Sequence, residues 1–146
     1  MSSNFGSSPL VKLIQKSITF DGTAGKGAIG NVVYLTITGA IHIVSIDAVV
    51  ETTVTVDGGT GAASCSLGTT GTTTLFVAAT TATLLTSTNK LWYSVTPNAG
   101  GIALPAAYKD IAIQQNIVLA VTSSGTQLVN GGVVTLTVTY IPITSN

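Results

Sequence analysis

The sequence is poor in charge. Charged residues make up 7% of its 146 residues, and the formal net charge at pH 7 is zero, whereas a typical soluble domain is about 25% charged. Arginine is absent. The five basic residues are Lys12, Lys16, Lys26, Lys90 and Lys109. Phosphate binding needs clustered basic side chains, so this scattered set argues against nucleic acid as a partner.

Side chains that carry out chemistry are equally scarce. The chain has one cysteine, Cys65, and one histidine, His42. One cysteine cannot form an intramolecular disulfide, and one histidine with one cysteine cannot build a zinc site. Asp47 is the acid nearest to His42, but five residues along a continuous strand should place the two on opposite faces. The sequence therefore predicts no enzyme, no cofactor and no metal ion.

Long apolar runs are also missing. The longest, AIHIVSIDAVV, contains His42 and Asp47 and is shorter than the roughly 18 residues that a membrane helix needs. The first 16 residues lack the order of charged start, apolar core and cleavage site that defines a secretory signal. We expect neither a membrane partner nor export by the Sec route.

The stretch GKGAIG, residues 25–30, matches the pattern G-x-G-x-x-G. A dinucleotide site of this type needs a helix directly after the glycines, because the helix N-terminus holds the pyrophosphate. Here the glycines lead into NVVYLTIT, residues 31–38, a β-branched and alternating run that predicts a strand. We interpret GKGAIG as a glycine-rich turn.

Period-two alternation rich in Thr, Val and Ile is what the chain has in abundance. The runs typical of strands are residues 17–20, 31–38, 40–56, 90–96, 116–122 and 133–143. This pattern predicts an all-β fold, a single-domain β-sandwich or jelly roll of about eight strands. Residues 105–110, PAAYKD, are compatible with one helical turn.

The long run 40–56 and two dipeptides give the finer expectations. Within 40–56, alternation predicts one core face, made of His42, Val44, Ile46, Ala48 and Val50. Asp57-Gly58 is the strongest hairpin signal, because a type I′ turn needs positive φ at both central residues. Asn130-Gly131 predicts a second turn before the strand 133–143.

Residues 1–16 are expected to form an extended N-terminal arm in front of the domain 17–146. Ser8 and Pro9 also resemble the cap and first position of a short helix, and this alternative stays open beside the extended arm that we favour. The arm carries apolar and basic side chains that suit docking on a neighbouring subunit. These candidate docking residues are Leu10, Lys12, Leu13 and Lys16.

Three aromatic residues suggest another kind of surface. Trp92, Tyr93 and Tyr108 could stack against sugar rings. Successive residues on one strand face apart, however, so at least one of Trp92 and Tyr93 is expected in the core.

Several segments together resemble a known group of proteins. They are SITFDGTAGKGAIGNVVYLTITGAIHIVSID, SLGTTG, LFVAATTATLL, LWYSVTP and KDIAIQQNIVLAVT. They are similar to small all-β structural proteins of tailed bacteriophages, which share an FDGTAGxGAxG turn, a short SLGT segment, an AATTAT run and a strand with tryptophan. The likeness covers Ser17 to Ile143.

The resemblance implies a non-enzymatic component of the virion, assembled in the host cytoplasm. It implies a capsid decoration (cement) protein or a head-fibre base that works as a homotrimer and binds the major capsid protein or another virion protein. No functional residue carries over, because the matched positions are turns and strands. The alternative is a tail-tip adhesin or carbohydrate-binding module that uses the three aromatic residues.

Overall fold

The computed structural model describes residues 10–87 and 112–143, which form eight strands and one 3₁₀ turn. The elements are β1 Lys12–Thr19, β2 Gly30–Leu35, β3 Ala40–Val56, β4 Ala63–Thr69, β5 Val77–Thr81, the 3₁₀ turn Ala82–Leu84, β6 Ala112–Ile113, β7 Ile117–Ser123 and β8 Val129–Ile143. The predicted all-β class is confirmed. The expected strand 90–96 and the helical turn 105–110 lie outside the described residues.

The strands form two four-stranded antiparallel sheets. The first sheet has the order β1-β8-β3-β6 and the second the order β2-β7-β4-β5. One apolar cluster contains buried side chains from both sheets, so the sheets pack face to face, and the predicted β-sandwich is confirmed.

The core is made by alternate residues of the central strands. The buried residues of β8 and β7 that supply it are Val129, Val134, Leu136, Val138, Ile117, Leu119 and Val121. Tyr34 of the second sheet crosses this layer, and its hydroxyl donates to the carbonyl oxygen of Val134 in the first sheet at 2.9 Å. A buried hydroxyl without a hydrogen-bond partner costs free energy of folding. This bond satisfies the Tyr34 hydroxyl and links the two sheets.

A β-bulge changes the face assignment in β3. Its register with β8 shifts between Ile43 and Ser45. Ile43 is buried, whereas Val44 is 37% exposed, because the extra residue of a bulge restarts the alternation. The predicted core face is therefore correct from Ile46 onward and wrong for His42 and Val44, which lie on the outward side.

Because of the bulge, the prediction that His42 and Asp47 lie on opposite faces is also wrong. His42 lies between two buried isoleucines of β3, and Asp47 lies between a buried isoleucine and Ala48. Both residues are therefore on the outward face, not on opposite faces. They pair with Ile141 and Thr137, four residues apart on β8, which separates them by roughly 13 Å.

Asp57-Gly58 does not form a hairpin. β3 and β4 lie in different sheets, so the segment between them crosses the sandwich. No described residue other than glycine has a positive φ, which excludes a type I′ turn at Asp57. Its carboxylate instead accepts hydrogen bonds from the backbone N–H groups of Gly59 and Leu128.

Asn130-Gly131 is not a turn either. Both residues lie inside β8, where the pairing with β3 is irregular between Thr52 and Val56. Gly132 takes a φ of +106° at this irregularity. The dipeptide therefore marks a distorted stretch of a continuous strand.

The turn predicted at GKGAIG is present. Asp21 and Gly22 both donate their backbone N–H groups to the carbonyl oxygen of Lys26, and β2 follows directly from Gly30. Gly27 has a φ of +113°, and a Cβ atom at this position would lie 1.9 Å from the carbonyl oxygen of Val129. The glycine is needed because β8 passes against the turn at this point.

Candidate assembly surface

The candidate docking residues lie on or next to one edge of the sandwich. Lys12, Leu13 and Lys16 belong to β1, the edge strand of the first sheet, and Leu10 precedes it. Residues 12–16 are extended, as part of β1. The predicted boundary between arm and domain falls inside β1, whose eight residues all pair with β8.

The outward face of β1 is polar in its middle. Gln15 donates a side-chain hydrogen bond to the Thr137 hydroxyl at 3.2 Å. The hydroxyls of Ser17 and Thr135 lie 2.7 Å apart, at hydrogen-bond distance. These pairs form a short neutral ladder across β1 and β8, in which side chains opposite each other satisfy one another.

The inward face of β1 closes the side of the sandwich. Ile14 and Ile18 pack against the core. The Lys16 ammonium group donates to the carbonyl oxygen of Val33 at 2.8 Å, and Val33 lies in β2, the edge strand of the second sheet. Lys16 therefore bridges the two sheet edges within one chain.

Lys12 lies beside a small cavity on the same side. The cavity has a volume of about 140 Å³. Its lining residues include Lys12, Leu35, Ile37, Tyr140 and Pro142. It has room for a single side chain, and among the described residues Lys12 supplies its charged group.

Exposed apolar side chains gather where β1 begins. Leu10, Val11 and Leu13 are 80%, 56% and 66% exposed. Val44 and Ile143 are also exposed. They lie at the same end of the first sheet, where Thr139 of β8 pairs with Leu13 of β1 on one side and with Ser45 of β3 on the other. We call these five residues the apolar patch. A large exposed apolar cluster commonly marks a contact with another macromolecule.

The opposite end of the sandwich, which we call the turn end, is built from residues 20–28, 57–62 and 124–128. Asp57 Oδ1 accepts from Leu128 N at 2.8 Å and from Gly59 N at 3.1 Å. The Gln127 amide donates to the carbonyl oxygen of Asp57 and accepts from the N–H of Ala63. Three of these four hydrogen bonds join residues 57–63 to residues 127 and 128 within the chain.

Asp21 anchors the first of these turns. Its carboxylate accepts hydrogen bonds from the hydroxyl and the backbone N–H of Thr23, and Lys26 lies 3.6 Å away. The Thr23 hydrogen bonds, with a smaller contribution from Lys26, lower the pKa of Asp21. The carboxylate stabilises the turn in its charged form.

Two titratable side chains of the described residues, Cys65 and Tyr34, lie in the core. Cys65 is fully buried, and burial raises the pKa of its thiol to about 12, so it stays protonated and unreactive. Burial also raises the pKa of Tyr34, whose hydroxyl is already bonded. Within residues 10–87 and 112–143, no three His, Cys, Asp or Glu side chains are grouped as metal ligands.

Trp92, Tyr93 and Tyr108 lie outside the described residues. In the part of the chain that the structure describes, no helix has the length and hydrophobicity to cross a bilayer.

The apolar patch contains two of the docking residues predicted from the sequence, Leu10 and Leu13. Its other members, Val11, Val44 and Ile143, were not predicted. The exposure of Val44 depends on a bulge that alternation alone does not reveal. Val11 shares the outward side with Leu13 by simple period two, a signal that was available.

Comparison with known proteins places the fold. No protein-family model and no curated protein matches the chain. Among solved structures, a chain of the structure described as "Cyanophage Pam1 capsid asymmetric unit" matches with a TM-score of 0.51 and 15% sequence identity. The match covers 98% of this chain and 92% of that chain. This protein is therefore similar in fold, over nearly its whole length, to a chain found in a phage capsid.

Proposed function

We propose that this protein is a non-enzymatic structural component of a bacteriophage particle, a capsid decoration (cement) or head-fibre-base subunit located in the virion. The observation that carries the proposal is the similarity in fold to a phage capsid chain over 98% of the sequence. The resemblance of Ser17 to Ile143 to small virion proteins supports it independently.

The surface chemistry agrees with this role. A neutral chain with 7% charged residues has little electrostatic repulsion between copies. We propose that the subunits associate, as a homotrimer, and dock on the major capsid protein or another virion protein. The exposed side chains of Leu10 and Leu13 belong to the docking surface.

We also propose a jelly-roll topology. The pairs β1-β8, β2-β7, β3-β6 and β4-β5 are those of one long hairpin rolled into two sheets. A rolled hairpin of eight strands makes two Greek keys, which is the arrangement of the jelly rolls found in capsids.

The test uses particles of the encoding phage that lack this protein because the gene has been deleted. Purified protein is added, particles are sedimented, and bound protein is quantified. We expect the wild type to saturate at a fixed number of copies per particle. A wild type that stays in the supernatant at all concentrations would contradict the proposal.

A double variant then tests the docking residues. Leu10→Ser with Leu13→Ser should weaken binding to particles by about tenfold or more, because each exposed leucine that becomes buried contributes about 1 kcal/mol or more. Ile29→Ser is the matched control, because Ile29 is 50% exposed but belongs to another part of the surface. Equal binding of the double variant and the wild type would remove Leu10 and Leu13 from the docking surface.

A further inference from the structure

Edge strands expose backbone N–H and C=O groups that can pair with another strand, and natural sheets usually protect them. The two sheets have four edge strands in the described ranges: β1, β6, β2 and β5. They differ in the protection that they carry.

Three of these edges are protected by length or irregularity. β6 has two residues. β5 has five, and its register with β4 shifts between Cys65 and Leu67. The register of β2 with β7 shifts between Val33 and Leu35, and the carbonyl oxygen of Val33 accepts a hydrogen bond from the Lys16 ammonium group. Each device hinders the addition of a further strand.

β1 has neither the short length nor the break in register of the other edges. Its eight residues pair with β8 in unbroken register from Lys12 to Thr19, and the strand contains no proline. Six of its eight side chains are exposed. An inward-pointing charge on an edge strand is itself a protection, but Lys16 already donates to the carbonyl oxygen of Val33, and Lys12 is the first residue of the strand.

We propose that β1 pairs with β1 of a second copy of this chain, antiparallel across a two-fold axis, so that two first sheets join into one. The inference extends the self-association in the proposed function. The occupant is a second copy because β1 is the longest and most regular of the described edge strands, and each copy presents the same edge. A two-fold contact closes after two copies and is separate from the threefold contact of a trimer.

Charge selects the register of this pairing. Residues directly opposite each other in two paired strands have their side chains on the same face of the sheet. The two-fold axis therefore passes between the two copies of one β1 residue, which are opposite each other. An axis at Ile14 places Lys12 opposite Lys16 of the partner subunit, and an axis at Lys16 places that lysine opposite its own copy. Like charges directly opposite are destabilising, which disfavours both registers.

An axis at Gln15 avoids both conflicts and pairs the strand over nearly its full length. Lys12 is then opposite Ile18 of the partner subunit, and Leu13 is opposite Ser17 of the partner subunit. Gln15 meets its own copy at the axis. The pairing leaves no like charges opposite one another and covers part of the apolar patch.

The test places a charge at the axis. Gln15 is exposed, so Gln15→Lys and Gln15→Glu should keep the fold, as far-UV circular dichroism and the thermal midpoint will verify. Each variant brings two like charges together in a pair of copies, whereas an equimolar mixture brings opposite charges together. Native mass is measured by light scattering over a wide range of concentration, with Asn31→Lys, on exposed Asn31 of β2, as the control.

We expect a wild type with an even number of copies, two or, if trimers pair, six. Each Gln15 variant should have half that mass, the mixture should regain it, and Asn31→Lys should match the wild type. A wild type that is monomeric or trimeric at every concentration overturns the inference. So does a native mass that is the same in the wild type and both Gln15 variants, or a mixture of the two variants that does not regain the wild-type mass. Particle binding tests the proposed function separately, since a trimer unaffected by Gln15 substitutions can still bind particles.

Discussion

The turn end and the β1 edge of the sandwich use their backbone polar groups in different ways. At the turn end, Asp57 and Gln127 together bond to four backbone groups of neighbouring turns. Along β1, one row of backbone groups faces outward at an exposed edge, next to the apolar side chains of Leu10 and Leu13. The turn end is complete within one chain, whereas the β1 edge is available to another.

This difference separates the residues that stabilise the fold from those that are free to make contacts. Substitutions at the turn end should cost stability, because they leave buried or constrained groups without partners. Substitutions on the outward face of β1 should leave stability almost unchanged and alter association. The following predictions test the comparison, from the largest expected effect to the smallest.

Gly27→Ala should break the turn end most severely. A Cβ atom at Gly27 would lie 1.9 Å from the carbonyl oxygen of Val129, at a φ of +113°. We expect a loss of about 4 kcal/mol in the free energy of unfolding, measured by urea denaturation, because steric clash and backbone strain add.

Gly25→Ala is the matched control for this substitution. Gly25 has a φ of +75°, but a Cβ atom there would meet nothing within 4 Å. We expect a loss of about 1 kcal/mol from backbone strain alone. Similar losses for the two variants would show that contact with Val129 does not determine the need for glycine.

Asp57→Ala should cost about 2 kcal/mol in the same assay. The substitution removes the acceptor of two backbone N–H groups, those of Gly59 and Leu128, and unsatisfied donors are costly. Asp57→Asn keeps a side-chain oxygen and should cost less than half as much. If alanine and asparagine had equal effects, the hydrogen bonds of Asp57 would not explain its contribution.

Lys16→Met should lower stability by about 0.5 to 1 kcal/mol, because it removes the hydrogen bond to the carbonyl oxygen of Val33 while keeping much of the apolar stem. The thermal midpoint should fall by roughly 2 °C. Lys12→Met is the control, since Lys12 lines a cavity on the same side, and its midpoint should not fall. An equal fall for both variants would argue against the bridge between the sheet edges.

Asp21→Asn should show the smallest effect, visible as a change in pH dependence. The folded-state pKa of Asp21 is lowered from its ordinary value of 3.8, mainly by the Thr23 hydrogen bonds. The carboxylate therefore contributes stability above the unfolded-state pKa and loses it as pH falls through the folded-state pKa. The wild type should be the more stable protein at pH 7, with the difference shrinking below pH 3.8. A difference that grows on acidification would reverse the assigned sign.

Alternation along the sequence was enough to predict the all-β fold and much of the core. Thr135, Thr137 and Thr139 alternate with residues that the structure buries in β8, as period two requires. The same rule failed at His42 and Val44. The inserted residue at the bulge puts the residues before it out of phase with the residues after it, so one alternation cannot fit both parts of β3. Bulges depend on the partner strand, which the local sequence does not specify.

The turn predictions failed at Asp57 for a related reason. An Asp-Gly step predicts a hairpin only if the two flanking strands pair with each other, and here they join different sheets. The contact between Lys16 and Val33 was equally hidden, because it depends on which strands form the edges. The sequence predicted docking residues within 10–16, and the fold places Leu13 on the outward face of β1 and Lys12 and Lys16 on the inward face.

The most direct test of the difference between the open edge and the closed turn end is hydrogen exchange, followed by mass spectrometry, in isolated and particle-bound protein. We predict that peptides covering residues 10–19 gain protection on assembly, because the exposed edge and the apolar patch become covered. Peptides covering residues 57–62 and 124–128 should exchange at the same rate in both states. Protection gained at the turn end, with no change over residues 10–19, would contradict the account.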